Sequence, residues 1–329
     1  MDMENNTSAI GILETASKKA ATSAYIITGT IIFGMNCTVL RCILLWRGLN
    51  FGTRLSLVNL AIADLLFGLC ILLLGFNNLI TRNTQLPCLV IYSITVVTGT
   101  VSVTGIMLLS INIFIIMRHC HNTTLPQHRK TFKAALAGAW LISISFAGWY
   151  VLDFVYKEKG IVICSFSVQR VLTQPMVTIY ALIIIEMTVS IGLLISTAFT
   201  AWIRIRKIKR EITPENYGLT QVRLLKIQYN MKIAKVAMAV CALFAISWGP
   251  WSIVLFTYGV KNQDLPSWII TVIRFTMPLN SIGNVFIYRY RSSHFRQLLN
   301  DLICFCKNNT TVHPDPENNV DNGNIVQTL

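Results

Sequence analysis

Negative charge is what this sequence has least of. Asp and Glu number 14 against 28 Lys and Arg, and the four types together make only 13% of the chain. A soluble globular chain carries roughly 25% charged residues, so a water-facing domain is excluded. No internal repeat or low-complexity segment is visible. An inverted repeat and a matched pair of interrupted apolar segments, which would mark a transporter, are missing too. So are a nucleophile–base constellation and a metal-ligand motif, which leaves no basis for an enzyme. The first apolar run follows a polar leader without a basic flank or an A-x-A-like site, so no cleaved signal peptide is expected.

What is present is apolar: 53% of the 329 residues. Several runs exceed the ~18 residues that mark a membrane helix. Seven are expected: Tyr25–Trp46, Leu55–Leu79, Leu89–Met117, Ala134–Leu152, Val177–Ile203, Ile233–Tyr258 and Trp268–Tyr288. The net charge of +14 is unevenly spread. Arg47 and Arg54, then Arg118, Arg129, Lys130 and Lys133, then the series from Arg204 to Lys235 crowd alternate loops, while the loops between them are nearly balanced. By the positive-inside rule the basic loops are cytoplasmic, with the N-terminus outside and the C-terminus inside. The charge therefore serves topology and anionic lipid rather than nucleic acid. The basic run is also a docking face for a cytosolic partner, a use compatible with the first.

The last span ends abruptly. Met277 to Leu299 reads MPLNSIGNVFIYRYRSSHFRQLL. Beyond Tyr288 comes a short basic segment with Phe295, Leu298, Leu299 and Leu302 at helical spacing, suited to lie along a membrane surface. Asn280, Ser281 and Asn284 interrupt the apolar part, where hydrocarbon tolerates them only against protein or internal water. Two acids also fall inside spans, Asp64 and Glu186, and each needs a partner or hydration at that depth.

The stretch Asn280-Ser281-Ile282-Gly283-Asn284-Val285-Phe286-Ile287-Tyr288, followed by Phe295-Arg296, resembles the seventh helix and surface helix of rhodopsin-like G-protein-coupled receptors. The family pattern is N-S-x-x-N-P-x-x-Y, and Val285 stands where its proline belongs. Further matches follow in order: Asn36 in the first span, Leu60-Ala61-Ile62-Ala63-Asp64 in the second, Trp140 in the fourth, and Phe244-Ala245-Ile246-Ser247-Trp248-Gly249-Pro250 in the sixth. The fifth span lacks the family's mid-helix proline. The resemblance covers nearly all of residues 23–306 and implies an all-α membrane protein, a seven-helix bundle with a short amphipathic surface helix. The expected division is an extracellular tail at 1–22, a receptor domain at 23–291, the surface helix at 292–306 and a cytoplasmic tail at 307–329.

The same resemblance assigns roles. Asp64, Ser102, Asn280 and Asn284, with Asn36 adjacent, match the set that holds a sodium ion in the family. Hard oxygen donors around one carboxylate suit such a cation, and a hydrated polar network without an ion is the alternative. Cys88 and Cys164 match the bridge between the third helix and the second outer loop, with two free thiols as the alternative. Cys37, Cys42, Cys70 and Cys241 read as small apolar packers. Cys304 and Cys306 are palmitoylation sites by position, and Asn5 and Asn6 are glycosylation acceptors if that end is outside.

Pro250 removes a backbone hydrogen bond, so Phe244, Trp248 and Pro250 form the hinge of the sixth helix. At the inner end of the third, the family's Asp-Arg-Tyr is replaced by Asn112-Ile113-Phe114, which with Tyr288 make the G-protein-facing switch. Isoleucine has neither charge nor donor, so coupling either runs through other basic contacts or has been lost.

For the ligand, Thr95 replaces the aspartate of amine receptors, and Pro278 occupies the position of the retinal-binding lysine, which excludes a Schiff base. Thr95, Glu186, Trp248 and Arg274 are the ligand-binding expectation, with Glu186 either meeting a ligand cation or pairing with Arg274. The implied function is a plasma-membrane receptor for an extracellular small molecule or peptide, signalling to a heterotrimeric G protein by an outward swing of the sixth helix. A non-signalling decoy, scaffold or dimer partner is the alternative, followed by a transporter.

Overall fold

In the computed structural model the described residues are 2–46, 49–80, 85–119, 126–157, 174–210, 217–261 and 267–303. Long helices run through them: α1 (Asp2–Leu45), α2 (Phe51–Ile80), α3 (Gln85–His119), α4 (Pro126–Lys157), α5 (Gln174–Arg210), α6 (Tyr217–Lys261) and α7 (Ser267–Arg291), followed by the short α8 (Ser293–Ile303). Six of these contain segments long and apolar enough to cross a membrane, from Thr22–Leu45 in α1 to Thr220–Tyr258 in α6. α1 starts well before its apolar part, inside the stretch read from sequence as a polar tail.

Local chemistry sets the boundaries. Asn50 opens α2, its side-chain Oδ1 accepting the Thr53 backbone N–H at 2.9 Å. Ser292 does the same for α8 through the Phe295 N–H at 3.1 Å. The surface helix then turns back onto the bundle. Phe295 is fully buried, its ring tilted against Tyr288 at 5.6 Å, and His294 meets Trp46 of α1 at 5.7 Å.

α3 is the central helix and touches α2, α4, α5 and α6, while α1 packs on α2, α7 and α8. The α1–α2 contact is close because of glycine. A Cβ on Gly68 would lie 2.8 Å from the backbone nitrogen of Phe33, a distance no side chain tolerates. Between membrane helices, where lipid gives little hydrophobic drive for association, such close backbone packing is a main source of attraction. The bundle's outer faces are apolar: Leu44, Leu141, Ile142, Ile195, Phe199 and Ile246 are all exposed. Cations gather on aromatic rings at the helix ends that carry the basic loops. Arg206 lies 3.7 Å from the Trp202 ring centroid, and Arg129 and Lys133 lie over Phe51 at 5.4 and 5.6 Å.

Candidate functional site

The site is built around Asp64, which α2 carries into the middle of the bundle at 2% exposure. Both carboxylate oxygens are claimed by α7. Oδ1 accepts the Ser281 hydroxyl at 2.7 Å, and Oδ2 accepts the Asn284 amide at 2.8 Å. Asn36 joins α1 to the same segment, its amide donating to the Ser281 carbonyl at 3.2 Å and to the Ile32 carbonyl at 3.0 Å. The polar residues of α7 thus face other helices and not lipid, as their cost in hydrocarbon requires.

A cavity of about 10 Å³ lies beside this carboxylate, lined by Asp64, Phe67, Thr98, Ser102, Trp248 and Asn280 among others. That space is on the order of one water or small ion. The side-chain oxygens Oδ1 of Asn36, Asn280 and Asn284 are buried without a hydrogen-bond donor. One of these residues, Asn280, lines the cavity, and the carboxylate oxygens retain free lone pairs after one hydrogen bond each, which leaves acceptors for a cation or an ordered water. The donor set therefore fits sodium. Ser102 and Asn280 line the cavity, while Asn284 reaches Asp64 directly. The ion-holding set expected from the sequence omitted Ser281 and Thr98. Ser281 sits within the quoted seventh-helix motif, and Thr98 lies one turn before Ser102 on the same face of α3, so helical spacing could have found it.

Trp248 forms part of the cavity wall, which links α6 to Asp64. Its ring stacks on Phe244 at 5.7 Å with planes 4° apart and is tilted against Phe67 at 6.4 Å. The far edge of the indole reaches α3 because Gly99 has no side chain; a Cβ there would come within 2.6 Å of Cη2. Two residues further on, Pro250 interrupts the α6 hydrogen-bond ladder from its exposed side. The Ser247 carbonyl near this break accepts the Thr276 hydroxyl of α7 at 3.3 Å.

The inner end of α3 points inward. Ile113 is 2% exposed and belongs to an apolar cluster with Met117, Ala201, Ala234 and Tyr288. Asn112 is buried as well, its amide donating to Asn50 Oδ1 and to Thr53 Oγ1 at 3.2 Å each, which pins α3 to the start of α2. Phe114 is partly buried. Trp140 does more than fill space: its indole donates to Asn59 Oδ1 at 2.9 Å, and the Asn59 amide reaches the Val101 carbonyl at 3.3 Å, so α2, α3 and α4 share one polar joint.

Of the four residues expected around a ligand, Trp248 and Glu186 lie in different cavities. Trp248 belongs to the Asp64 cavity, whereas Glu186 lines a separate crevice between α3, α4 and α5 and accepts the Thr104 hydroxyl at 2.9 Å. Thr95 spends its hydroxyl on the Ile91 carbonyl of its own helix, at 2.9 Å. The side chains of Arg274, Cys88, Asn5 and Asn6, and all of Cys164, Cys304 and Cys306, lie outside the described residues. Of the four cysteines expected as small apolar packers, Cys42, Cys70 and Cys241 are buried and free; Cys37 is free and exposed on the outer face of α1, where a small apolar thiol is equally at home in lipid.

A bundle of apolar helices closed around one caged carboxyl is the architecture of a multi-pass membrane protein. The sequence profile of the 7 transmembrane receptor (rhodopsin family) matches residues 35–288, and the chain belongs to this family of receptors. Melanopsin of Rutilus rutilus is 30% identical over 134 residues, 39% of this chain and 26% of that protein. Melanopsin of Rattus norvegicus is 24% identical over 294 residues, 83% of this chain and 60% of that protein. The matches thus cover less than two thirds of the melanopsins' own length. Squid rhodopsin shares the fold, with a TM-score of 0.71 at 15% identity, over 90% of this chain and 88% of that one.

Proposed function

We propose that the chain is a plasma-membrane receptor, N-terminus outside, that responds to an extracellular small molecule or peptide and signals to a heterotrimeric G protein. The observation that carries this reading is the shared cavity: Trp248, just before the Pro250 break, and Asp64, held by Ser281 and Asn284, wall the same small space. Any ligand that shifts Trp248 also disturbs the contacts of Asp64 with α7, and the break at Pro250 lets the inner half of α6 swing. The ligand shifts the population toward that open state only by its differential affinity for it.

Ligand entry is from the outer half, near Thr95, Trp248 and Arg274. Pro278 carries no amine, so the likeness to melanopsins is one of scaffold, and no retinal Schiff base forms there. An anionic or lipid-derived molecule and a short peptide both suit this chemistry. A sodium ion held by Asp64, Ser102 and Asn280, with Asn284 adjacent, supplies a counter-charge for the buried carboxylate and so favours the closed arrangement.

One observation favours a second reading. Ile113 is sealed in apolar surroundings, with no charge to present to a G protein. A receptor with that inner end acts as a decoy, scaffold or dimer partner. G-protein activation in cells separates the two, comparing wild type with Ile113→Arg, without ligand and across a panel of small molecules and peptides. Coupling by the wild type is the expected result. A signal from the arginine variant alone, at matched surface expression, overturns it in favour of the non-signalling reading.

A further inference from the structure

The crevice that holds Glu186 has no part in the mechanism above. It measures about 80 Å³ and lies between α3, α4 and α5. Its lining is mostly apolar, with Val103, Phe146, Ile179 and Ile183 among the walls. Two lining residues, Ile142 of α4 and Leu182 of α5, are 60% and 38% exposed and mark its mouth. That mouth sits on the lipid-facing side of membrane helices, so whatever enters comes from the bilayer.

The polar groups inside are unequal. The Ser143 hydroxyl donates to the Ala139 carbonyl at 2.7 Å, and the Thr100 hydroxyl is spent on its own helix. Thr104 has one hydroxyl proton and two acceptors at 2.9 Å, Glu186 Oε2 and the Thr100 carbonyl. The carboxyl therefore holds a shared donor at best. Among the described residues it has no cationic partner. A carboxyl in that position gains most from a group that brings both positive charge and hydrogen-bond donors. The space is far below the roughly 300–1,000 Å³ that encloses a drug-sized ligand, so it admits a head group whose tail stays outside.

We propose that this crevice is a bilayer-entered binding site for an amphiphile bearing one protonated amine, the ammonium pairing with Glu186 and the apolar tail lying along Ile142 and Leu182. The site is independent of G-protein coupling and stands or falls separately from it.

The test uses the full chain in phosphatidylcholine nanodiscs and a diazirine-bearing decylamine as photoprobe. Saturable labelling of the peptides 139–146 and 179–186 is expected, competed by decylamine but not by decanol. Labelling falls about tenfold or more in Glu186→Gln, the cost of losing a charge-assisted hydrogen bond, and is unchanged in Leu44→Ala, a lipid-facing control on α1. If Glu186→Gln fails to reach the membrane, Ile142→Trp, which narrows the mouth and spares the carboxyl, gives the same loss. Labelling that does not saturate, that decanol displaces equally well, or that survives these variants overturns the proposal.

Discussion

Two carboxyl groups sit within the membrane-spanning part of this protein, and they are held in opposite ways. Asp64 is 2% exposed, has a strong donor on each oxygen and shares its cavity with Asn280, whose amide oxygen lacks a donor. Glu186 is only partly buried, shares one hydroxyl proton with a backbone carbonyl, and borders a crevice that opens between helices. The first is caged by helices it ties together; the second is reachable from lipid. Asp64 couples α2 to α7 and, through the cavity wall, to α6, so its loss reaches the whole bundle. Glu186 binds α5 to α3 by a single contact and can change partner without disturbing the fold.

The largest effect that would sharpen this contrast comes from Asp64→Ala. Removing the acceptor strands two buried donors, Ser281 Oγ and Asn284 Nδ2, each costing about 1–3 kcal/mol when unpaired. A loss of about 3 kcal/mol is expected, read as a lower melting temperature of the solubilised protein. A shift no larger than that of a lipid-facing control such as Leu141→Ala would break the comparison, because it would mean that the cage stores no stability.

A smaller effect tests what the cage holds. With sodium roughly tenfold above its dissociation constant, ligand linkage adds about 1–2 kcal/mol to the wild type. Melting in sodium chloride should therefore exceed melting in choline chloride at equal ionic strength. Asp64→Asn should erase the difference, since the cation loses its charged partner. Equal sodium dependence in the variant would remove the ion from Asp64 and leave only a hydrated network.

Much of this was legible before the helices were placed. Apolar runs, basic loops and the seventh-helix motif were enough for the bundle and for Asp64, because a long apolar segment has few alternatives in a membrane. Asn280 and Asn284 announced themselves as amides in hydrocarbon. What was not legible were partners on other helices. Glu186 carries no sequence sign that it turns toward Thr104 and α4, because its rotation depends on how α5 packs against α3. Likewise Trp140 shows only as a family match until its indole is found against Asn59, and Asn112 reads as a missing acid until its amide is found on Asn50 and Thr53. Periodicity gives a face; only tertiary packing says what that face meets.

The smallest expected effect lies at the second carboxyl. Glu186→Gln removes the charge but keeps a carbonyl oxygen able to accept from Thr104, and its new amide hydrogens face a crevice rather than a sealed core. The cost of burying a charge near lipid disappears as the charge-assisted hydrogen bond weakens, so the two changes offset. A stability change within about 0.5 kcal/mol is expected, the range of substitutions outside tightly packed networks. The same melting measurement made for Asp64→Ala decides it. A drop comparable to that variant would show Glu186 to be a structural tie between α3 and α5, and the distinction between a caged and a lipid-reachable carboxyl would collapse.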